Sequence, residues 1–233
     1  MDSQRMAQVD WSSVEKIIYI NLKKRPDRDA HIRQELIKLN VPQEKIIRFE
    51  AIERNPGYIG CSHSHLAVLK LAQNMAWKTV LVLEDDMVFL HDEENIGRVN
   101  HFFHQLTLIP WDVALLAANY FNVAPLKVDK SFLFEYECIP VKPMFAYCAC
   151  AYLVQEHYYP TLIENFSSGV KLIEETRDER HAVDAYWLNI MPRDNWIGIY
   201  PNFGYQMANK SDIRNCDVNY EKHFFKSLSS IVQ

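Results

Sequence analysis

The sequence predicts an α/β fold with a mostly parallel central sheet covered on both faces. Two observations carry that prediction. Short runs rich in β-branched residues alternate with longer segments of helical spacing, and those runs are apolar at consecutive positions, as strands buried on both faces are. Ile17-Ile18-Tyr19-Ile20-Asn21-Leu22 is the first such strand. Pro26-Asp27 opens a helix whose apolar face is Ile32, Leu36 and Leu39, and Asn40 and Pro42 mark its end. Ile46-Ile47-Arg48-Phe49 is a second short strand. After a loop holding Asn55-Pro56-Gly57, a helix is predicted over 62–76, with Leu66, Leu69, Ala72 and Met75 at helical spacing behind a serine cap. Thr79-Val80-Leu81-Val82-Leu83 is the clearest strand in the chain. Beyond it the pattern predicts a helix over 94–108, a strand over 113–117, β-rich segments over 132–139 and 145–154, helices over 157–166 and 180–190, and a strand over 196–200. No Gly/Ser-rich linker and no fixed-period repeat divides the chain, so one domain over 1–233 is expected.

Composition excludes several classes of function. Across 233 residues, 48% are hydrophobic and 24% charged, which is incompatible with an intrinsically disordered or collagen-like chain. The net charge is -5 and no block of like charge could neutralise a run of phosphates, so nucleic acid is not an expected partner. The longest apolar stretch, 66–90, is broken by Lys70, Gln73, Asn74, Lys78 and three acids, so no transmembrane segment is expected. Residues 1–11 carry Asp2, Arg5 and Asp10 and lack the apolar core of a secretory signal, and the expected location is cytoplasmic. The cysteines Cys61, Cys138, Cys148, Cys150 and Cys216 are odd in number and scattered, which fits reduced thiols; Cys148 and Cys150 are expected to share one sheet face.

The chemistry-bearing signal is Glu84-Asp85-Asp86. It follows the strand 79–83 directly, and in open α/β sheets ligands bind beyond the carboxyl ends of strands. The apolar run Met87-Val88-Phe89-Leu90 comes next, so the three carboxylates cannot simply be led out to water. A divalent cation relieves their repulsion. Hard oxygen ligands suit Mn²⁺ or Mg²⁺, which complete their coordination with substrate phosphates and water.

These residues, taken with others, resemble glycosyltransferase family 25, the family of lipooligosaccharide and collagen β-galactosyltransferases. Tyr19-Ile20-Asn21-Leu22 with Arg25 and Arg28 is similar to its opening strand and Asn-Leu-x-x-Arg-x-x-Arg element. Gly60-Cys61-Ser62-His63-Ser64-His65 resembles its Gly-Cys-x-x-Ser-His stretch, although His63 stands where an apolar residue is more usual. Val82-Leu83-Glu84-Asp85-Asp86 resembles its metal-binding strand end. Further resemblances are Ala151-Tyr152-Leu153-Val154, Asp184 with Trp187, and Pro201, Gln206 and Ser211-Asp212-Ile213. The resemblance implies a GT-A fold, a UDP-sugar donor, a divalent metal and inversion at the anomeric carbon, with a saccharide or a glycosylatable protein as acceptor. The stretch 93–142 carries no matching motif, so acceptor choice is expected there, and the last third is expected to face the acceptor. Homo-oligomerisation is left open.

Sugar transfer needs a cation on the leaving diphosphate, a base on the acceptor hydroxyl and a pocket orienting both. Asp86 is the expected direct metal ligand, with Asp85 beside it and His223, the one histidine after the Ser211-Asp212-Ile213 element, as a further ligand. Glu84 or Asp85 takes ribose hydroxyls or a metal-bound water, in an order left open. Asp184 is the expected base, with Trp187 stacking on a sugar ring; Glu174, Glu175 and Asp178 compete less specifically. Ser62, Ser64 and His65 are read as opening a helix whose free N–H groups face donor phosphates. Arg25 and Arg28 are expected to pair with phosphate. The resemblance carries over Asn21, Gln206, Ser211 and Asp212 as donor-site residues. Two alternatives stand beside this reading. A phosphoryl-transfer enzyme would need a Gly-rich phosphate loop that the sequence lacks. A non-catalytic nucleotide-sugar or carbohydrate-binding protein of the same fold would share the ligands without turnover.

Overall fold

The computed structural model describes residues 8–127, 135–210 and 216–232. In chain order the main elements are β1 (Lys16–Asn21), α1 (Pro26–Lys38), β2 (Ile46–Glu50), α2 (Gly57–Asn74), β3 (Thr79–Glu84), β4 (Met87–Phe89) and α3 (Glu93–Leu106). They continue with β5 (Val113–Pro125), β6 (Ile139–Gln155), α4 (Tyr159–Thr176), α5 (Val183–Tyr186), β7 (Trp196–Tyr200) and β8 (Gly204–Gln206). The short β9 (Asn209–Lys210), β10 (Asp217–Val218) and α6 (Leu228–Ile231) complete them.

The central sheet has the order β2-β1-β3-β6-β5-β7. β1 pairs in parallel with β2 and β3, and β5 with β7, while β6 is antiparallel to β3, β5 and β7. All strands but β6 therefore run the same way, and the mostly parallel α/β class is the one observed. Alternate residues of each strand feed opposite cores. Ile17, Tyr19, Leu81 and Leu83 pack with Ile32 and Leu36 of α1 and Phe102 of α3. Ile18, Ile20, Val80 and Val82 pack with Leu66 and Leu69 of α2 and Leu162 and Phe166 of α4 on the other face. Consecutive apolar positions in β1 and β3 are thus explained by two cores, each fully buried aliphatic side chain being worth about 1.5–3 kcal/mol.

Local rules set most boundaries. Pro26 needs no N–H at the start of α1, and Asp27 and Asp29 favour its positive end. The left-handed Asn40 (φ 53°) ends that helix by returning the Val41 N–H to Leu36 O at 3.0 Å. Three expectations are corrected. α2 starts at Gly57, so Ser62, Ser64 and His65 lie within it: Ser62 Oγ donates to Tyr58 O (2.9 Å) and Ser64 Oγ to Gly60 O (2.7 Å). The buried face extends back to Ile59, and at Gly60 a Cβ would sit 2.3 Å from Ile52 O, so the packing requires glycine inside the first turns. The helix expected over 180–190 breaks into α5 between two 3-10 turns. Asp178 caps the Arg180 N–H (2.9 Å), Ala182 is extended, and the buried Trp187 donates its indole N–H to Ala146 O (3.0 Å). Finally, the β-rich segments past 138 are one long strand, β6, and residues 132–134 of the first lie outside the described residues.

Candidate active site

β1 has β2 on one side and β3 on the other, so the chain leaves it in one direction and returns on the opposite flank. At such a reversal the loops beyond the strand ends splay apart and leave a crevice. A cavity of about 580 Å³ occupies that position, with Ile20, Leu22, Glu84, Asp85 and Asp86 in its wall.

Register places the acidic triplet. Ile20 pairs with Glu84 across β1 and β3, which sets Asn21 beside Asp85 one step further on. Asn21 Nδ2 donates to Asp85 Oδ2 at 2.7 Å and Arg28 pairs with Asp85 Oδ1 at 3.0 Å, while Arg48 donates to Asn21 Oδ1 at 2.8 Å. Both oxygens of the buried Asp85 are therefore engaged. Burial pushes the Asp85 carboxyl upward, and Arg28 and Asn21 work against that.

Asp86 is treated differently by the fold. Arg28 stands 3.5 Å from its Oδ2, and Gln206 Nε2 reaches its Oδ1 at 3.4 Å. Burial and the neighbouring charges of Glu84 and Asp85 push Asp86 up to about 7, against the pull of Arg28. Pairing of β4 with β8 fixes this end of the site, since it joins Met87 to Gln206 and the Met207 N–H donates to Asp86 O at 2.9 Å. Gln206 Nε2 also donates to Glu84 Oε2 at 2.7 Å. Burial disfavours charge on Glu84, yet contacts with the His65 ring and the Cys61 thiol outweigh it and hold Glu84 below the ordinary range. The pocket thus shifts the proton affinities of Glu84 and Asp86 in opposite directions.

Asp184 enters from the opposite wall, on the four-residue α5. Its Oδ2 accepts the backbone N–H of Cys148 at 3.1 Å. Cys148 is left-handed (φ 75°), and the β5–β6 register shifts repeatedly around it, so the strand gives up a regular ladder bond and turns that N–H to the carboxylate. Burial, with the charge of Glu84, raises the Asp184 carboxyl, and the Cys148 N–H opposes this. A buried carboxyl with an elevated proton affinity at a cavity wall has the chemistry to accept a proton.

Of the other residues singled out from sequence, Arg28, Gln206 and His223 line the cavity. Arg25 does not: its guanidinium turns back onto Asp27 at 2.8 Å, because Asp27 lies two residues on in the first turn of α1. Asn21 is behind the wall, holding Asp85. Ser62 and Ser64 border the cavity but their hydroxyls brace the backbone, accepting the Val183 and Ile52 N–H groups at 3.2 and 2.8 Å. They cannot offer the free helix N–H groups expected of them, since those positions are inside α2. His65 is buried, with Nδ1 2.8 Å from the Tyr152 hydroxyl. Trp187 is fully buried against Trp196 and Tyr152 and cannot stack on a sugar. Glu174 pairs with His63 at 2.7 Å, joining α2 to α4. Ser211 and Asp212 lie outside the described residues.

Sequence reasoning missed several lining residues: Asn119 and Tyr147 from the β5–β6 pair, Tyr58 and Arg180 at the rim, and Tyr220. Among the described residues, Asn119 alone comes from 93–142, so the stretch expected to choose the acceptor contributes little to this cavity. Only β-strand pairing between distant segments could have revealed Tyr147. The described helices include none long and apolar enough to cross a membrane.

No family model matches the chain, and no curated protein matches it. Among solved structures it is similar to A197 from STIV, at 11% identity over 84% of this chain and 87% of that one, with a TM-score of 0.43. It is also similar to a glycosyltransferase involved in the glycosylation of the major capsid of PBCV-1, at 12% identity over 78% and 80% of the two chains and a TM-score of 0.43. A third is the glycosyltransferase GlyE of Streptococcus pneumoniae, at 12% identity over 80% of this chain and 45% of that one, with a TM-score of 0.45.

Proposed function

We propose that this chain is a single-domain, GT-A-type glycosyltransferase that moves a hexose, galactose or glucose, from a UDP-sugar to a hydroxyl of a saccharide or protein acceptor with inversion. The observation that carries the reading is the convergence of Asp86, Gln206 and Asp184 from three separated parts of the chain on one cavity at the sheet's reversal point. The family resemblance of the sequence supports the donor class.

The donor set fits a hard divalent cation such as Mn²⁺ or Mg²⁺. Asp86 and His223 both line the cavity, whereas Asp85 is committed to Arg28 and Asn21. When bound, such a cation supplies a Lewis acid for the departing diphosphate. The chain's own residues do the rest. Arg28 places positive charge beside the Asp85–Asp86 pair, where a diphosphate would be held. Asp184 accepts the proton of the acceptor hydroxyl as that oxygen attacks the anomeric carbon, and the Cys148 N–H keeps its carboxylate oriented.

A thermal-shift panel of UDP, GDP and CMP nucleotides and their sugars, each with and without Mn²⁺, tests the reading by mass action. Stabilisation by UDP and UDP-hexose only when Mn²⁺ is present is the expected result, followed by sugar transfer or slow donor hydrolysis. Binding with neither transfer nor hydrolysis would favour the non-catalytic sugar-nucleotide binder instead.

A further inference from the structure

The cavity is also lined by Cys61 and His65, two residues with no part in the proposed transfer, and both face Glu84. Cys61 and His65 are four residues apart on α2, so they project from one face of the helix toward the end of β3, where Glu84 closes the strand. Cys61 Sγ is 3.5 Å from Glu84 Oε1, His65 Nε2 is 3.5 Å from the same oxygen, and the ligand atoms of all three residues lie within 4.8 Å of one another. Tetrahedral coordination with bonds of about 2.0–2.3 Å brings neighbouring ligand atoms to roughly 3.3–3.8 Å. Two edges already meet that spacing, and the third is no longer than 4.8 Å.

The surroundings suit an ion. Tyr152 Oη, 2.8 Å from His65 Nδ1, can accept a hydrogen bond from Nδ1–H, the tautomer that presents a bare Nε2 to the cluster. Gln206 holds the other oxygen of Glu84 at 2.7 Å, leaving Oε1 facing Cys61 and His65. All three residues line the cavity, which provides an entry path and room for a water as fourth ligand. The ligand chemistry differs from that of Asp86: thiolate and imidazole select a borderline-soft ion, whereas carboxylates alone favour Mn²⁺ or Mg²⁺.

We propose that Cys61, His65 and Glu84 form a binding site for a zinc-type divalent cation, separate from the Asp86 carboxylate site in the same cavity. As the sulfur–metal bond forms, the thiol proton leaves to solvent, and the Cys61–Glu84 hydrogen bond is replaced by shared coordination. This inference is independent of sugar transfer and survives if the chain proves to be non-catalytic.

The test uses the full chain, stripped of metal, with Zn²⁺ and Co²⁺ as probes. Chelator competition is expected to show one tightly held Zn²⁺ per chain, and Co²⁺ to produce a near-ultraviolet sulfur-to-metal charge-transfer band. Cys61→Ser should abolish the band and weaken Zn²⁺ by more than the ~10–100-fold that loss of an outer partner costs. Cys148→Ser and Asp86→Asn should keep the band. Its absence from the wild-type protein, or its survival in Cys61→Ser, overturns the proposal. Should Cys61→Ser fail to fold, alkylation mapping of the wild-type chain decides. Zn²⁺ should protect Cys61 while the exposed Cys216 still reacts, and equal labelling of Cys61 with and without Zn²⁺ would overturn the site.

Discussion

The two walls of the cavity are built in opposite ways. The β1–β3 wall is regular: three parallel strands in unbroken register, with α1 and α2 packed on opposite faces, deliver Asn21, Glu84 and Asp85 to fixed places at the strand ends. The β5–β6 wall is irregular. Its pairing shifts register at several points, Cys148 is left-handed, and the chain that carries Asp184 is a succession of single turns. Regular pairing suits a charge cluster whose members must be neutralised at set spacings. Irregular pairing frees backbone groups, and here one of them holds a single carboxylate from a distant segment. In the proposed reaction the regular wall holds the donor and the irregular wall presents the base.

The sharpest way to break this comparison is Asp184→Asn. Transfer should fall by about 10²–10⁴-fold, the usual contribution of a positioned acid or base, while UDP affinity measured by calorimetry stays within about twofold of wild type. Equal loss of both would return Asp184 to a structural role. Next is the regular wall. Replacing Arg28 by Met leaves buried Asp85 without its cationic partner, and breaking such a pair should cost about 3–5 kcal/mol in urea unfolding. The Arg28→Met, Asp85→Asn double variant should recover part of that loss. Asp86→Ala should fold as well as wild type, since it relieves like-charge repulsion, yet lose the Mn²⁺-dependent part of any nucleotide-induced thermal shift. An unchanged Mn²⁺ response would move the cation elsewhere in the cavity.

Smaller effects sharpen the picture. Asn202 ties β5 to the segment carrying His223, accepting from the Ala118 N–H at 3.0 Å and donating to Ala118 O and Phe224 O at 3.0 and 2.7 Å. Asn202→Ala leaves these buried groups unmatched and should cost about 1–3 kcal/mol by urea denaturation. Ala76 ends α2 in the left-handed region (φ 51°), a conformation costing a non-glycine residue about 1–2 kcal/mol. Ala76→Gly should therefore raise stability slightly, by less than that figure because glycine gains freedom in the unfolded chain, with no effect on ligand binding.

How much of this was legible beforehand differs between the walls for the same reason. Strands β1, β2, β3 and β7 and helices α1 and α3 announce themselves because their signals are local: apolar runs, a proline at a helix start, a helical stripe. The start of α2 is not legible in the sequence, because Ser62 has the look of a cap, whereas Gly60 is needed inside the helix for its close approach to Ile52, a residue whose nearness is tertiary. Helical spacing around Asp184 and Trp187 hid a break, since the burial of Trp187 on Ala146 overrides the local preference.

Residue chemistry along the chain determined that an acidic cluster, Asp86 among it, would stand at the end of a buried strand in an α/β protein, while Asp184 and Gln206 stood out through the family resemblance. Only the tertiary structure decided which carboxylates remain available. Asp85 and Asp86 are adjacent and chemically alike, but the β1–β3 register gives the first to Asn21 and Arg28 and leaves the second at the cavity edge. Arg25 and Arg28 differ in the same way, one closing on Asp27 and the other reaching the site. A side chain's charge is written in its type, while its partner is set by which distant segments the fold brings within hydrogen-bonding reach, and that is a property of packing.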